Sequence, residues 1–546
     1  MTHVGWEAAD TQLGKMSAEP APPAAPGIAG AATLIALGNV ASRLLGLARE
    51  TVIADLFGAT GLVSAFDVAS RVPRMLFDLL IDGLLSSALV PVFSELAERD
   101  RAELWRLVSI LLSLATLVMT GSALVLALFA HQAAWLMSGG FDADLLDETA
   151  RLIRITTPAV VFLSLSGILT GLLYALKRFT LPAFTVAVFN ASLVLVALIL
   201  TGIFGWGIES LALGLLVGSA LQVAVQVPGL RGARLHLTID WHHPELRRIL
   251  RLYTPVVLGL LVSQLGIVID RNLASRTGEQ SIAWMRYATT LVQFPLGLVS
   301  VAIAMAILPT LSRLASRQQP AGLDEFMETL STGLKMVLVL ILPAVVGLFA
   351  LSGPLVGLVF QHGDFGPFDT VQTARALRIY LLGTTFAALD LPLVYAFYAR
   401  KNTLTPALVG VLGVGLYLVA ALAPTLFREL RMTDLVLANS IQLTGHALVM
   451  LWLVHRLGSL RRRGLERTAL KALAAALVMG ELVFVSAQGL AARFPTQALL
   501  DEVVVVGGAS LAGLAVYGAL IVLLRVEEFG MVRRLISRRL TKLRGE

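Results

Sequence analysis

The sequence contains no cysteine and few charged residues for its length. The absence of cysteine from all 546 residues excludes disulfides, a thiolate nucleophile and a Cys-ligated metal site. Charged residues make up 14% of the chain, whereas soluble domains carry about 25%. Hydrophobic residues make up 57%, and the mean hydropathy is +0.80. This composition indicates a polytopic membrane protein.

Catalytic signatures are also missing from the sequence. There is no Walker motif, no HExxH and no nucleophile elbow, and the eight histidines show no metal-ligand spacing. No soluble stretch is large enough for a nucleotide-binding domain, which argues against an ATP-driven pump. We therefore predict no enzyme, no metal site and no cofactor. An integral membrane enzyme is the least favoured class, because no acid/base cluster stands at a membrane face.

The chain contains fourteen apolar segments, each long enough to cross a bilayer, which takes about 20 residues. We predict an all-α bundle whose spans lie near 29–56, 62–95, 103–130, 150–175, 181–203, 207–229, 250–273, 283–312, 332–360, 373–399, 404–426, 434–455, 468–492 and 502–525. Polar residues interrupt the first, second and eighth segments.

Loops rich in lysine and arginine alternate along the chain with loops that are poor in both. Loops after even-numbered segments are basic, whereas the loops 131–148 and 361–369 contain neither residue. By the positive-inside rule this asymmetry predicts that both termini are cytoplasmic. The net charge of +7 therefore indicates cytoplasmic loops rather than nucleic-acid binding. Residues 1–28, rich in Pro and Ala, predict a disordered cytoplasmic tail without a cleavable signal, and 526–546 a basic cytoplasmic tail.

An internal repeat divides the chain. Residues 174–183 match 398–407 at an offset of 224, and 88–97 match 306–315 at an offset of 218. We predict two six-helix halves, 29–229 and 250–455, in the same orientation, and two additional helices in 468–525. Transporters built this way bind substrate between the halves near the middle of the membrane.

The second segment carries a stripe of ionisable residues. Their spacing of i, i+4, i+7, i+11 and i+15 puts Asp67, Arg71, Arg74, Asp78 and Asp82 on one helix face. Each such residue in a bilayer costs roughly 2.5 to 3.5 kcal/mol. They persist where they line a watery cavity, pair with each other or hold a substrate.

Further polar residues lie in the segments that open each half. Arginine suits phosphate, because its planar fork donates two hydrogen bonds and stays charged. These residues therefore predict an anionic, phosphorylated substrate, although ion pairing that only holds helices together is an open alternative, as is snorkelling for Asp270 and Arg271. The predicted substrate-binding residues are Arg43, Arg49, Glu50, Asp67, Arg71, Arg74, Asp78, Arg286 and Gln293, with Asp82, Gln264, Asp270 and Arg271 as secondary candidates.

The stretch 39–96 resembles the N-terminal signature of the MurJ/MviN lipid II flippases. So do WMRYATTLVQFPLGLVSVAIAMAILPTLS at 284–312 and LSGPLVGLVFQHGDFGPFD at 351–369. The resemblance covers about 30–525 and implies a MATE-like exporter fold in the bacterial inner membrane. It further implies movement of the lipid-linked peptidoglycan precursor to the outer leaflet by alternating access. Segments 13 and 14 would hold the polyprenyl tail.

The chain departs from the family pattern at several positions. Arg43 and Arg49 match the family's first-helix arginines, Glu50 and Ser64 each replace a usual Asp, and Arg71 often corresponds to Lys. Phe77 and Thr290 stand where the family usually has arginines, and Asp78 where another basic residue is common. Arg74 lies one turn before Asp78, and Arg286 lies one turn before Thr290. We hypothesise that these two arginines supply the displaced charge.

The favoured function is thus lipid II transport by a monomer, with an unidentified coupling ion or the membrane potential as driving force. In the same class, an exporter of another polyprenyl-linked glycan or a MATE-like drug exporter is the alternative. A non-transporting scaffold for cell-wall enzymes is the alternative from another class, and it needs no charged cavity.

Overall fold

A computed structural model describes residues 28–526 except 83, 85–87, 318–319, 461–462 and 495–497. All regular secondary structure in these residues is helical, as the predicted all-α class requires. The predicted tails at 1–28 and 526–546 lie outside the described residues, apart from Ile28 and Val526.

In the part of the chain that the structure describes, the first half contains nine α-helices. They are α1 Ile28–Phe57, α2 Gly61–Phe77, α3 Val90–Arg99, α4 Arg101–Leu128, α5 Ala130–Ser138, α6 Ala143–Thr156, α7 Ala159–Ala175, α8 Thr180–Phe204 and α9 Glu209–Gln226, followed by a 3-10 turn at Val227–Leu230.

The second half and the C-terminal pair contain ten more. They are α10 Pro244–Ser275, α11 Ser281–Pro295, α12 Val301–Ala315, α13 Pro320–Ala350, α14 Ser352–Phe360, α15 Pro367–Ala399, α16 Leu404–Leu422, α17 Met432–Leu457, α18 Leu465–Arg493 and α19 Leu499–Leu523, with a 3-10 turn at Ala423–Leu426.

Ten helical stretches of the described chain are long and apolar enough to cross a membrane, or up to twelve if two bent pairs each form one span. The bent pairs are α6 with α7, at 42°, and the two parts of α10, at 57°. The described residues of the predicted segments 29–56 and 62–95 are helical, but these segments are not among the ten to twelve. The protein therefore spans the membrane many times, and the count of fourteen stays a prediction.

Two five-residue π-helical segments of the described chain, Asp78–Asp82 and Leu296–Ser300, interrupt long helices. Their positions differ by 218 residues, the offset that relates 88–97 to 306–315. Both follow a helix that contains proline, Pro73 in α2 and Pro295 in α11. The repeat thus reproduces a backbone irregularity as well as a sequence pattern, and π-segments are frequent at functional sites.

The loops gather at two ends of the bundle. We call the end that carries the basic loops the basic end. There Lys177 lies 3.8 Å from Glu98, and Arg463 lies 2.6 Å from Glu328. At the opposite end, the turn between α1 and α2 contacts the loop between α14 and α15. The C-terminal pair packs on one side, with α18 against α13 and α19 against α18.

Helix α10 joins the two halves rather than belonging to one. Its first turns place Leu246, Ile249 and Tyr253 in the hydrophobic core of the first half. The Tyr253 hydroxyl donates to the carbonyl of Leu79 in the first π-segment. Beyond the bend, α10 packs against α5, α11, α16 and α17. The start of the second half at residue 250 stays a prediction, because α10, which contains that residue, begins at Pro244 and contacts both halves.

Two other predicted segments differ in detail from the structure. The predicted loop 131–148 contains α5 and the start of α6, and their Ala134, Met137, Leu145 and Leu146 side chains are buried against the first half. The predicted segment 332–360 breaks at Leu351, where α13 ends and α14 begins. Apolar composition predicts a membrane segment here but does not predict the break between its two helices.

Two glycines interlock at the opposite end. Gly58 and Gly363 have φ of +63° and +52°, a conformation that favours glycine. The Asp364 amide donates to the Asp55 carbonyl at 3.0 Å. A Cβ on Gly58 would lie 2.5 Å from the Asp364 carbonyl oxygen, and one on Gly363 would lie 2.1 Å from that of Asp55. Because glycine has no side chain, the two turns can pack against each other and close this end.

The close crossing of α15 and α17 gives a test of the fold. A Cβ on Gly383 would lie 2.7 Å from the Ser440 Cα, so Gly383→Val should separate these helices and destabilise the protein by about 1 to 3 kcal/mol. Gly410→Val on α16 is the control, since its Cβ would meet nothing within 4 Å. Thermal unfolding in detergent measures both, and equal midpoints would contradict the packing.

Candidate functional site

The site begins with a buried ion pair between the two halves. Arg286 of α11 donates to both carboxylate oxygens of Glu50 on α1, at 2.7 and 2.9 Å. The two residues are 8% and 2% exposed. The sequence predicted both for the site, but α1 and α11 are far apart in the chain, and only the fold shows that they bind each other.

Asp67 of α2 is the second carboxylate of this interface. It accepts from Arg71 at 3.0 Å and from Arg286 at 3.4 Å, and Arg271 of α10 lies 3.4 Å away. Arg271 is buried, so it does not snorkel to the membrane surface. A single carboxylate thus contacts arginines from three helices.

Arg49 extends the network toward the first half. It lies 2.6 Å from Glu50 and donates to the Asn190 side chain of α8 at 3.0 Å. The Asn190 amide donates in turn to the Ser42 carbonyl at 3.1 Å. Asn190 thus connects α8 to two residues of α1, a contact between helices that no local sequence pattern predicts.

Asp270 lies at the other edge of the network. Its carboxylate accepts from the Tyr417 hydroxyl of α16 at 2.6 Å, and Arg271 lies 3.6 Å away. Tyr417 was not predicted for the site, since one tyrosine in an apolar helix carries no sequence signal. Gln264, one of the secondary candidates, is buried.

The charges in this network nearly cancel. Four arginines, at 49, 71, 271 and 286, face three carboxylates, at 50, 67 and 270, which leaves one positive charge. Each of these seven groups lies beside at least one opposite charge, while the Arg49 and Arg71 side chains are 26% and 34% exposed. The arrangement can therefore hold an anion through its exposed arginines without leaving an unpaired charge when it is empty.

Arg43 lies two turns before Glu50, nearer the basic end. Its guanidinium donates to the Gln293 carbonyl at 3.1 Å, just before the second π-segment. The Gln293 side chain is exposed. Arg43 therefore bridges α1 and α11 through a backbone oxygen, a partner that an anion can replace.

The positions that depart from the family pattern lie in different surroundings. Arg74 is 65% exposed and lies 3.9 Å from Asp78. Phe77 packs against α7, where a Cβ on Gly167 would lie 3.0 Å from its ring. Asp82 ends the first π-segment, and its side chain lies outside the described residues. Phe77 thus belongs to the first half's apolar packing, and Arg74 is the exposed cation one turn before Asp78.

An apolar groove of about 480 Å³ adjoins the network. Its walls come from α1, α11, α13, α14, α18 and α19. Thr290 lies in its lining, whereas Arg286, one turn earlier, points to Glu50. The lining also includes Leu47, Phe294, Pro295, Leu298, Ala344, Met479, Val483, Ser510 and Leu514. A long hydrocarbon chain would match this groove in shape and polarity.

Removing one carboxylate should reveal how far the bundle depends on this network. Glu50→Gln leaves Arg286 and Arg49 with less compensation in a buried place, so we expect a loss of about 3 kcal/mol or more. The matched change Glu325→Gln breaks an exposed pair with Arg317 and should cost less than about 1 kcal/mol. Equal shifts in thermal unfolding would contradict the dependence.

Comparisons with known proteins agree with this architecture. The sequence profile of the family described as Lipid II flippase MurJ matches residues 53–501. The Lipid II flippase MurJ of Burkholderia cenocepacia is 30% identical, over 71% of this chain and 75% of that protein. A probable lipid II flippase MurJ of Bdellovibrio bacteriovorus is also 30% identical, over 81% of this chain and 84% of that protein.

Two solved structures show the same fold. A lipid II flippase MurJ in an inward closed conformation superposes with a TM-score of 0.75 at 24% identity, over 90% of this chain and 99% of that one. An inward-facing MATE family multidrug resistance transporter superposes at 0.65 with 14% identity, over 79% and 99%. With the family profile matching most of its length, the chain belongs to the MurJ lipid II flippase family.

Proposed function

We propose that this protein is a lipid II flippase, which moves the undecaprenyl-pyrophosphate-linked peptidoglycan precursor from the inner to the outer leaflet of the bacterial inner membrane. One observation carries the proposal: a network of arginines between two membrane-embedded halves adjoins an apolar groove. A lipid with an anionic pyrophosphate and a long hydrocarbon tail needs both features next to each other. Membership of the MurJ family supports the same substrate.

Arg43 occupies the junction of the polar and apolar regions. Leu47, one turn farther along α1, lines the groove, as does Phe294, the neighbour of Gln293. We infer that the pyrophosphate, which joins head and tail, displaces the Gln293 carbonyl from Arg43. The partly exposed Arg49 and Arg71 and the exposed Arg74 would contact the rest of the head, and Arg286 holds Glu50 and Asp67 in place.

Transport would proceed by rocking of the two halves. Two of the hydrogen bonds between them lie toward the opposite end, from Tyr287 to Gly58 at 2.8 Å and from Ala283 to Ser64 at 3.2 Å. We propose that the basic end and both termini are cytoplasmic, so this state receives lipid II from inside. Breaking those contacts would expose the head outside while the tail stays in lipid. The chain would act as a monomer.

The runner-up functions fit this geometry less well. A drug exporter for cations needs unpaired acids, whereas Glu50, Asp67 and Asp270 all contact arginines. A non-transporting scaffold needs no buried charge between its halves. An exporter of another polyprenyl-linked glycan shares the pyrophosphate and the tail, and the Phe77 and Thr290 departures keep it as the second candidate.

Complementation is the experiment that tests the proposal. In a bacterium depleted of its lipid II flippase, this chain should restore growth and labelled lipid II at the outer leaflet. Arg49→Ala should abolish both because it removes an exposed phosphate-binding group, and Arg43→Ala should do the same. Arg317→Ala, an exposed arginine at the basic end, is the control and should retain activity.

Two results would contradict the proposal. One is lipid II that accumulates inside although the protein is folded in the membrane. The other is full activity of Arg43→Ala and Arg49→Ala. Transport of a different polyprenyl-pyrophosphate glycan by the same membranes would favour the second candidate.

The groove makes a separate prediction about the tail. Ser510→Trp puts a large ring into the groove lining, so flipping of full-length lipid II should fall by roughly tenfold, about 1.4 kcal/mol. An analogue with a short tail should be less affected. Leu511→Trp is the control, since the neighbouring Leu511 is 70% exposed on the outer face of α19. Equal losses for both tails would contradict a tail site here.

A further inference from the structure

A second ionisable pair lies inside the second half, apart from the arginine network. The Nδ1 atom of His446 on α17 lies 2.8 Å from Oδ1 of Asp390 on α15. Their side chains are 16% and 23% exposed. Ionisable groups within membrane-spanning helices are expensive and commonly functional. The proposed binding of lipid II uses neither residue.

The repeat supplies an internal comparison for this pair. At the offset of 224, Asp390 corresponds to Ser166 on α7, and His446 corresponds to Gln222 on α9. There the side-chain amide of Gln226 donates to the Ser166 hydroxyl at 2.7 Å and to the Gln222 carbonyl at 3.0 Å. Neutral groups thus hold the equivalent helices together. Packing alone does not require an imidazole and a carboxylate, so the charges in the second half need another explanation.

The surroundings leave Asp390 as the carboxylate that faces His446. The Pro406 carbonyl of α16 also faces the ring. Tyr398, two turns farther along α15, also lies close enough to interact electrostatically with Asp390, and its ring stacks on that of Tyr395. The other charged or titratable groups on the packed helices have different partners or positions: Tyr417 and Asp270 bind each other, Arg271 contacts Asp67, Arg286 binds Glu50, Asp434 binds Arg428, and His455 and Arg456 end α17.

The pair is also connected to the moving part of the proposed mechanism. Pro392 has no N–H, so the Ala388 carbonyl one turn earlier lacks its usual helical donor. The Ser300 hydroxyl, at the end of the second π-segment, donates to that carbonyl at 2.6 Å. Asp390 lies in this weakened turn. A change of charge at Asp390 and His446 therefore acts on a backbone joint between α15 and the helix that carries Arg286.

We propose that Asp390 and His446 form a proton-binding site that couples the conformation of this transporter to proton movement. Histidine changes its charge between about pH 5 and pH 8, and the partly exposed pair can exchange a proton with water. The imidazole gains one proton and becomes a cation beside the carboxylate, and no covalent bond changes. The coupling to lipid transport rests on the proposed function, whereas the proton site does not.

The absence of native cysteine allows a direct test. Spin labels at Ala102→Cys and Ser312→Cys, both exposed at the basic end, report the distance between the halves. In the otherwise wild-type chain the ratio of the two conformations should shift between about pH 8 and about pH 5.5, by up to about tenfold per pH unit for one coupled proton. In the double variant Asp390→Ser with His446→Gln, which copies the first half, the shift should vanish. His455→Gln is the control and should keep it.

A second measurement does not depend on the double variant folding. Labelled histidine spectra of the wild type and of His446→Gln identify the His446 signal, which should titrate between about pH 5 and pH 8. A pH-independent distance distribution, an unchanged shift in the double variant, or a His446 signal that does not titrate would each overturn the proton site.

A transport assay distinguishes a failure of this proposal from a failure of the proposed function, on which the coupling rests. In vesicles with lipid II and the membrane potential clamped at zero, a pH gradient should change the flipping rate of the wild type but not of the double variant. Equal responses of both proteins would overturn the coupling. A pH-dependent distance without lipid II transport in either protein would contradict the proposed function and leave the proton site standing.

Discussion

The contact of Arg286 with Glu50 and Asp67 is the interaction on which the interface between the halves depends. It joins α11 to α1 and α2 inside the membrane, where an unpaired charge is costly and a paired one is retained. The surrounding arginines then have carboxylates to contact when no substrate is bound. A transporter of a pyrophosphate lipid needs such a compensated set of cations, because bare arginines in an apolar bundle would destabilise the empty state.

Irregular backbone accompanies these charges in both halves. The π-segments Asp78–Asp82 and Leu296–Ser300 lie at equivalent positions, and Tyr253 or Ser300 binds a carbonyl near each. Leu79 lies within the first segment, whereas Ser300 ends the second and donates to the Ala388 carbonyl of α15, which Pro392 leaves without its helical donor. The interruptions thus lie next to the residues proposed to bind substrate and close to the helix that carries the proposed proton site.

Much of the site could be predicted, but its pairing could not. Helical periodicity put Asp67 and Arg71 on one face, and the structure joins them at 3.0 Å. The same periodicity said nothing of Asn190 beside Arg49 or Tyr417 beside Asp270, because these contacts join helices that are distant in the chain. The expectation that Arg286 compensates for Thr290 stays a prediction, and the structure places these two side chains toward different partners, a carboxylate and an apolar groove.

The sequence by itself determined the membrane class, the helical periods, the repeat and the ionisable residues that an apolar bundle must accommodate. Those properties follow from composition and local spacing, which act before any long-range contact forms. Only the tertiary structure decided where helices bend, that α10 packs on both halves, and which arginine faces which carboxylate. Those outcomes depend on contacts between residues that are distant in the chain, such as Glu50 and Arg286, and no local pattern encodes them.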